Sequence, residues 1–142
     1  MAAARECKLG SRAMLPDAAF LAALEAGRLP PAEFDHRAHL RAGFLYLRRY
    51  EFPEACVAMK RAVRAHAGAL GKPGLYHETL TIAHLALIAE RLIEEPAELG
   101  FDSFLERYPE LASREYFERY YPRGELDTPE ARATFVLPRP RG

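Results

Sequence analysis

The chain has 142 residues, 49% of them apolar, and 20 basic side chains balance 20 acidic ones. That length supports one domain with a real core and leaves little room for two. The apolar share argues against disorder of the whole chain, and the zero formal charge argues against a dedicated nucleic-acid binder, which carries a basic excess. Cys7 and Cys56 form neither a disulfide framework nor a C-x-x-C metal site, so a reducing cytoplasm is the expected location. No sustained apolar run precedes Pro16 and Asp17, so no secretory signal is expected. No stretch of about 18 uncharged apolar residues is available to cross a membrane.

Residues 1–15 are small, basic and aperiodic, and read as a flexible tail. A short helix is predicted over Asp17 to Ala26, with Phe20, Leu21 and Leu24 on one side; Gly27 stops it and Pro30-Pro31 prevents its continuation. The next helix is predicted over Asp35 to Tyr50. Asp35 is its N-cap, its carboxylate accepting from first-turn amides. His36, His39, Leu40, Gly43, Phe44 and Leu47 follow helical spacing and share one face, which is the apolar one. Gly43 costs about 1 kcal/mol against alanine inside a helix, so a second helix is expected to cross closely there.

A third helix is predicted over Pro53 to Leu70, with Ala55, Cys56, Met59, Val63 and Ala67 inward and Lys60, Arg61 and Arg64 outward; Gly71 ends it. A fourth is predicted over Tyr76 to Glu94. Leu80, Ile82, Leu85, Ala86, Leu87, Ile88, Leu92 and Ile93 cover nearly its whole circumference, as expected of a central helix. Shorter helices follow over Phe101 to Arg107, over Arg114 to Tyr120 capped by Ser113, and over Pro129 to Phe135 capped by Thr128. This last third is rich in aromatics, and 137–142 reads as a proline-arginine tail. The expected fold is all-α: a single-domain antiparallel helical bundle of four main helices over 16–136, with a short-helical aromatic C-terminal region.

Short links favour antiparallel neighbours, so the second and fourth helices start at the same end of the bundle. That topology brings together His36, His39 and His77, with His66 close by; His84 lies about 10 Å deeper than His77 at 1.5 Å per residue. Three chemistries fit. The first is a metal site, zinc or iron, in which His36, His39 and His77 are ligands and Glu78 (or Asp35, where not spent on capping) supplies a carboxylate. The second is a metal-free site: two helix N-termini favour an anion or a carbonyl and keep the imidazoles neutral, so that His77 and Glu78 move protons while Tyr76 and Thr79 orient a substrate. The third is plain packing, each ring hydrogen-bonded inside the core; His66 and His84, taken singly, read that way.

Phe34-x-His36-x-x-His39-Leu40, followed by Lys72-Pro73-Gly74-x-Tyr76-His77-Glu78-Thr79-x-Thr81, resembles a group of small, uncharacterised bacterial all-helical proteins. The resemblance spans roughly residues 33 to 122, and in that group a tryptophan is expected where this chain has His84. It implies that His36, His39, His77, Glu78 and Thr79 act as one unit, and it brings no activity with it. The functional expectation is a small cytoplasmic enzyme or ligand-binding protein with a histidine-centred site for a small molecule. The alternative is an interaction module, homo-oligomeric through its aromatic C-terminal region or its basic third helix.

Overall fold

The computed structural model describes residues 15–138, and every regular element among them is helical. Seven α-helices occur in the order α1 (Asp17–Glu25), α2 (His36–Arg49), α3 (Phe52–Ala69), α4 (Glu78–Leu92), α5 (Phe101–Arg107), α6 (Arg114–Glu118) and α7 (Pro129–Ala133). Three short 3₁₀ turns, Pro31–Glu33, Pro73–Leu75 and Pro109–Ala112, each open on a proline, whose fixed φ suits a first helical position. The expected tails fall outside the described residues except for Leu15, Leu137 and Pro138. Leu15 is part of the folded unit, packing on the core and accepting from Arg41 through its carbonyl.

Helices α2, α3 and α4 form an antiparallel up-down-up set in which each packs on the other two; α1 covers α3, and α5 and α7 lean on α2 and α4 respectively. One apolar cluster joins α1, α2 and α3 through Phe20, Leu24, Tyr46, Ala55 and Met59. A second joins α2, α4 and α5 through Leu40, Phe44, Ile88, Phe101 and Phe104. Side chains of this size contribute about 1.5–3 kcal/mol each when fully buried. The arginines of α2 tie outlying segments to it. Arg41 donates to the Leu15 carbonyl and to Asp17, and Arg48 donates to the Pro96 carbonyl.

The sequence-predicted caps form as expected. Asp35 Oδ1 accepts from the Ala38 amide at 2.9 Å, Ser113 from Tyr116 and Thr128 from Ala131. Gly43 lies where α4 crosses α2: a Cβ there would stand 3.1 Å from Leu85 Cδ2 and 3.3 Å from Ile88 Cδ1. Helix ends differ from the predicted ones by at most two residues, and α4 departs further from expectation. Helix α4 begins at Glu78, because Tyr76 closes the preceding 3₁₀ turn and His77 serves as the cap. Its burial is also one-sided: Thr79, Ala83, Leu85 and Ile88 are buried, whereas Ala86 is exposed and Ile93, just past the helix, is 76% exposed. A C-terminal third made of short helices covers less of α4 than a long neighbour would.

Gly27 and Gly71 adopt φ of +70° and +72° at the ends of α1 and α3, the left-handed conformation that helix stops use. Only Gly27 is also crowded, with a built Cβ 3.0 Å from Ala69 Cβ and 3.3 Å from the Ala65 carbonyl oxygen. Both glycine-to-alanine changes carry the left-handed penalty of about 1–2 kcal/mol. Gly27→Ala is expected to cost more than Gly71→Ala, because α1 must also back away from α3. Urea midpoints of the two variants check this ordering.

Candidate functional site

The site is set by how α2 and α4 begin. With Asp35 as cap, His39 occupies the fourth helical position and Phe34 the position before the cap, the pairing that staples a helix start to the incoming chain. The rings of Phe34 and His39 stack with centroids 3.9 Å apart, and His66, from the last turn of α3, meets the other side of the contact edge-on to Phe34 at 4.8 Å. This fixes the His39 imidazole against a wall of the bundle. Its Nδ1–H donates to the Asp35 carbonyl at 3.3 Å.

At the start of α4, His77 does a job usually given to serine or aspartate. Its Nδ1 accepts the Leu80 amide at 3.2 Å, capping the helix, and its Nε2–H donates to the Leu126 carbonyl at 2.8 Å. Both nitrogens are therefore spent. Two turns further along, His84 Nδ1–H donates to the Leu80 carbonyl at 2.9 Å, and its ring lies flat on Phe117, 4.3 Å away with 3° between planes. His36 stands edge-on to His84 at 5.2 Å, its Nε2–H donating to the Leu111 carbonyl at 3.2 Å.

Four of the five histidines thus face a common space. An inner cavity of about 360 Å³ lies between α2, α3 and α4; His36, His39, His77 and His84 line it together with apolar side chains that include Met59, Val63, Leu85 and Ile88. An outer cavity of about 480 Å³ shares His36, His77, Leu80 and His84 as its wall and is closed by Phe117, Tyr121 and Leu126 from the C-terminal third. The buried surroundings act on the rings. Burial pushes the His39 pKa down from 6.5 to about 4, outweighing the Asp35 carbonyl, with His36 and His66 adding to the fall. Burial likewise pushes His84 to about 4 against the Leu80 carbonyl, with His36 and His39 lowering it further. Both are neutral near pH 7.

The remaining sequence-predicted residues lie elsewhere. Glu78 accepts from the Tyr76 hydroxyl at 2.7 Å and pairs with Lys60 on α3 at 3.3 Å, and Arg64 sits over the Tyr76 ring. Thr79 is fully buried. Its Oγ1 donates toward the Ala131 and Thr134 carbonyls, each 2.7 Å away, and accepts the Val136 amide at 3.0 Å. None of Tyr76, Glu78 and Thr79 is among the residues lining the two cavities. The reason is angular: Tyr76 and His77 precede the helix in extended backbone, where successive side chains point to opposite sides, and Glu78 and Thr79 then turn by about 100° each, so the four cannot all face one space. Among the described residues no three His, Cys, Asp or Glu side chains are grouped so as to hold a metal ion.

His84 and Phe117 are the site residues that the sequence reading left out. The signal for His84 was present, since it lies seven residues, or two turns, beyond His77 and one turn beyond Leu80. Phe117 had none, because its contact depends on how the C-terminal third folds back. The chain matches no family model, and neither the curated proteins nor the solved structures contain a match to it. No helix among the described residues is long and apolar enough to cross a membrane.

Proposed function

We propose that this protein binds a small molecule in the histidine-walled inner cavity and does so without a metal. The observation that supports this reading is the convergence of His36, His39, His77 and His84, drawn from two helices, on one apolar space of about 360 Å³. That volume falls in the range of small-molecule sites, which are mostly apolar with a few fixed polar groups. A metal held by His36, His39, His77 and Glu78 would require His77 to surrender its cap or its bond to Leu126, and Glu78, which does not line the cavity, to turn into it. A metal-free ligand requires neither change.

Binding is favoured over proton-transfer catalysis. A general base works best with a pKa near the working pH, and rings held at about 4 are weak bases at neutrality. The interaction-module reading has less support. Phe101, Phe104, Phe117 and Tyr121 of the aromatic C-terminal third are buried, and the basic third helix spends Lys60 and Arg64 on Glu78 and Tyr76. Cys56 carries no disulfide, and burial raises its thiol pKa, which together fit an inert residue in a reducing compartment such as the cytoplasm.

The test is a melting-temperature screen of fragment-sized compounds against the wild type and His84→Trp. The indole fills the cavity wall and removes one ring nitrogen. Compounds that raise the wild-type melting temperature should leave that of His84→Trp unchanged. Equal stabilisation of both proteins would place binding outside the cavity.

A further inference from the structure

Every side-chain N–H and O–H donor among the described residues that line the inner cavity is already spent on a backbone carbonyl. His36 Nε2–H goes to Leu111, His39 Nδ1–H to Asp35, His77 Nε2–H to Leu126, His84 Nδ1–H to Leu80, and the Thr81 hydroxyl to His77. A neutral imidazole whose proton is fixed on one nitrogen offers only a lone pair on the other. Among the described residues three ring nitrogens have no hydrogen-bond partner: His36 Nδ1, His39 Nε2 and His84 Nε2. Among the described residues that are not exposed, the one fully buried side-chain nitrogen or oxygen lacking a hydrogen bond is Arg48 Nε, so His39 Nε2 and His84 Nε2 keep some accessibility, and His36 is itself an exposed residue at the rim of the space it lines. The other titratable group in the lining, Asp35, is a carboxylate and adds acceptors. The two helix starts that would otherwise attract an anion are already capped by acceptors, Asp35 Oδ1 at Ala38 and His77 Nδ1 at Leu80.

From this one-sided polarity we infer the class of ligand: a compact molecule with an apolar body that carries N–H or O–H donors and no anionic group, an organic amine or alcohol in preference to a carboxylate or phosphate. The proposal rests on the inner cavity being a ligand site, and it adds the sign of the chemistry. A carboxylate entering here would meet lone pairs and a like charge, with no free side-chain donor to replace the water that it loses. An ammonium or hydroxyl would meet three acceptors already held in place by ring stacking and by the carbonyl bonds behind them. The apolar wall of Met59, Val63, Leu85 and Ile88 would take the body.

The experiment uses the full ¹⁵N-labelled chain at pH 7, observed through long-range ¹H–¹⁵N correlations of the imidazoles, with benzylamine, benzyl alcohol and benzoate as probes. The expected tautomers are Nδ1–H for His39 and His84 and Nε2–H for His36 and His77. Benzylamine should shift the unprotonated nitrogens of at least two of His36, His39 and His84, and benzyl alcohol the same resonances. The benzylamine Kd should be at least tenfold lower than that of benzoate. Reversed tautomers, or benzoate binding as tightly as benzylamine, would overturn the donor preference and leave the cavity standing as a site. If none of the three probes moves any of these nitrogens, the donor preference and the ligand-site reading fall together. His39→Phe, which keeps the stack on Phe34, should weaken benzylamine severalfold with its far-ultraviolet circular dichroism unchanged; undiminished affinity in that folded variant would also count against the proposal.

Discussion

Replacing Thr79 by valine is expected to destabilise the fold by about 2 kcal/mol and to lower Tm by roughly 5–10 °C. The side chain is fully buried, and valine matches its shape, so the packing of α4 survives and the hydroxyl alone is lost. That hydroxyl is the joint between α4 and the end of the described chain. It faces the Ala131 and Thr134 carbonyls and accepts the Val136 amide, partners 52 to 57 residues away in sequence. Deleting it takes the donor from the buried Ala131 carbonyl and releases the part-buried Thr134 and Val136 groups, and an unsatisfied buried group costs more than the net gain from an ordinary hydrogen bond. Val136 is also gripped from its other side by the Tyr121 hydroxyl, at 2.7 Å from its carbonyl. Proteolysis near Phe135 should therefore accelerate in Thr79→Val, and Thr79→Ser should restore most of the stability. A Thr79→Val protein that melts like the wild type would remove Thr79 from this role.

The second large effect is expected with pH. His39 and His84 have pKa values near 4 in the folded chain against 6.5 for an unconstrained ring. Between those values the unfolded chain binds more protons than the folded one, so stability rises with pH through this window. Their contribution is fully present above about pH 6.5 and is lost as the pH falls toward 4. The groups around His39 are His36, His66 and Asp35, and those around His84 are His36 and His39; protonating one ring makes the next harder to protonate. Allowing for screening at these half-buried sites, the two rings together represent on the order of 3 kcal/mol between pH 7 and pH 4.5. Urea denaturation across that range should show the loss, and the double variant His39→Gln/His84→Gln should show a shallower slope. Parallel pH profiles for the two proteins would contradict this assignment.

Much of the fold was legible because its determinants are local. Asp35, Ser113 and Thr128 cap the helices that follow them, and Gly27 and Gly71 take the left-handed conformation at helix ends. Helical periodicity on α2 put His36, His39 and Gly43 on one face, and α4 crosses at that glycine. The cavity residues His36, His39 and His77 were legible for the same reason, since short links force α2 and α4 to start together. Distant partners were not legible. His77 became a cap with both nitrogens occupied because the Leu126 carbonyl, 49 residues on, holds its other side. Thr79, expected to orient a substrate, binds a backbone segment more than 50 residues away. Of the three rings that keep an unpartnered nitrogen, His39 and His84 donate to carbonyls four residues earlier, Asp35 and Leu80, whereas His36 depends on the distant Leu111 carbonyl, whose position no spacing rule supplies.

The central claim is that the imidazoles of His36, His39 and His84 present lone pairs to one space that a small molecule can enter. A crystal structure of the full chain grown in the presence of benzylamine tests it most directly. The expected result is the phenyl ring against Leu85 and Ile88, with the amine nitrogen at hydrogen-bond distance, about 3 Å, from His36 Nδ1, His39 Nε2 or His84 Nε2. An inner cavity closed by its own side chains, or rings turned so that their N–H groups face the space, would contradict it.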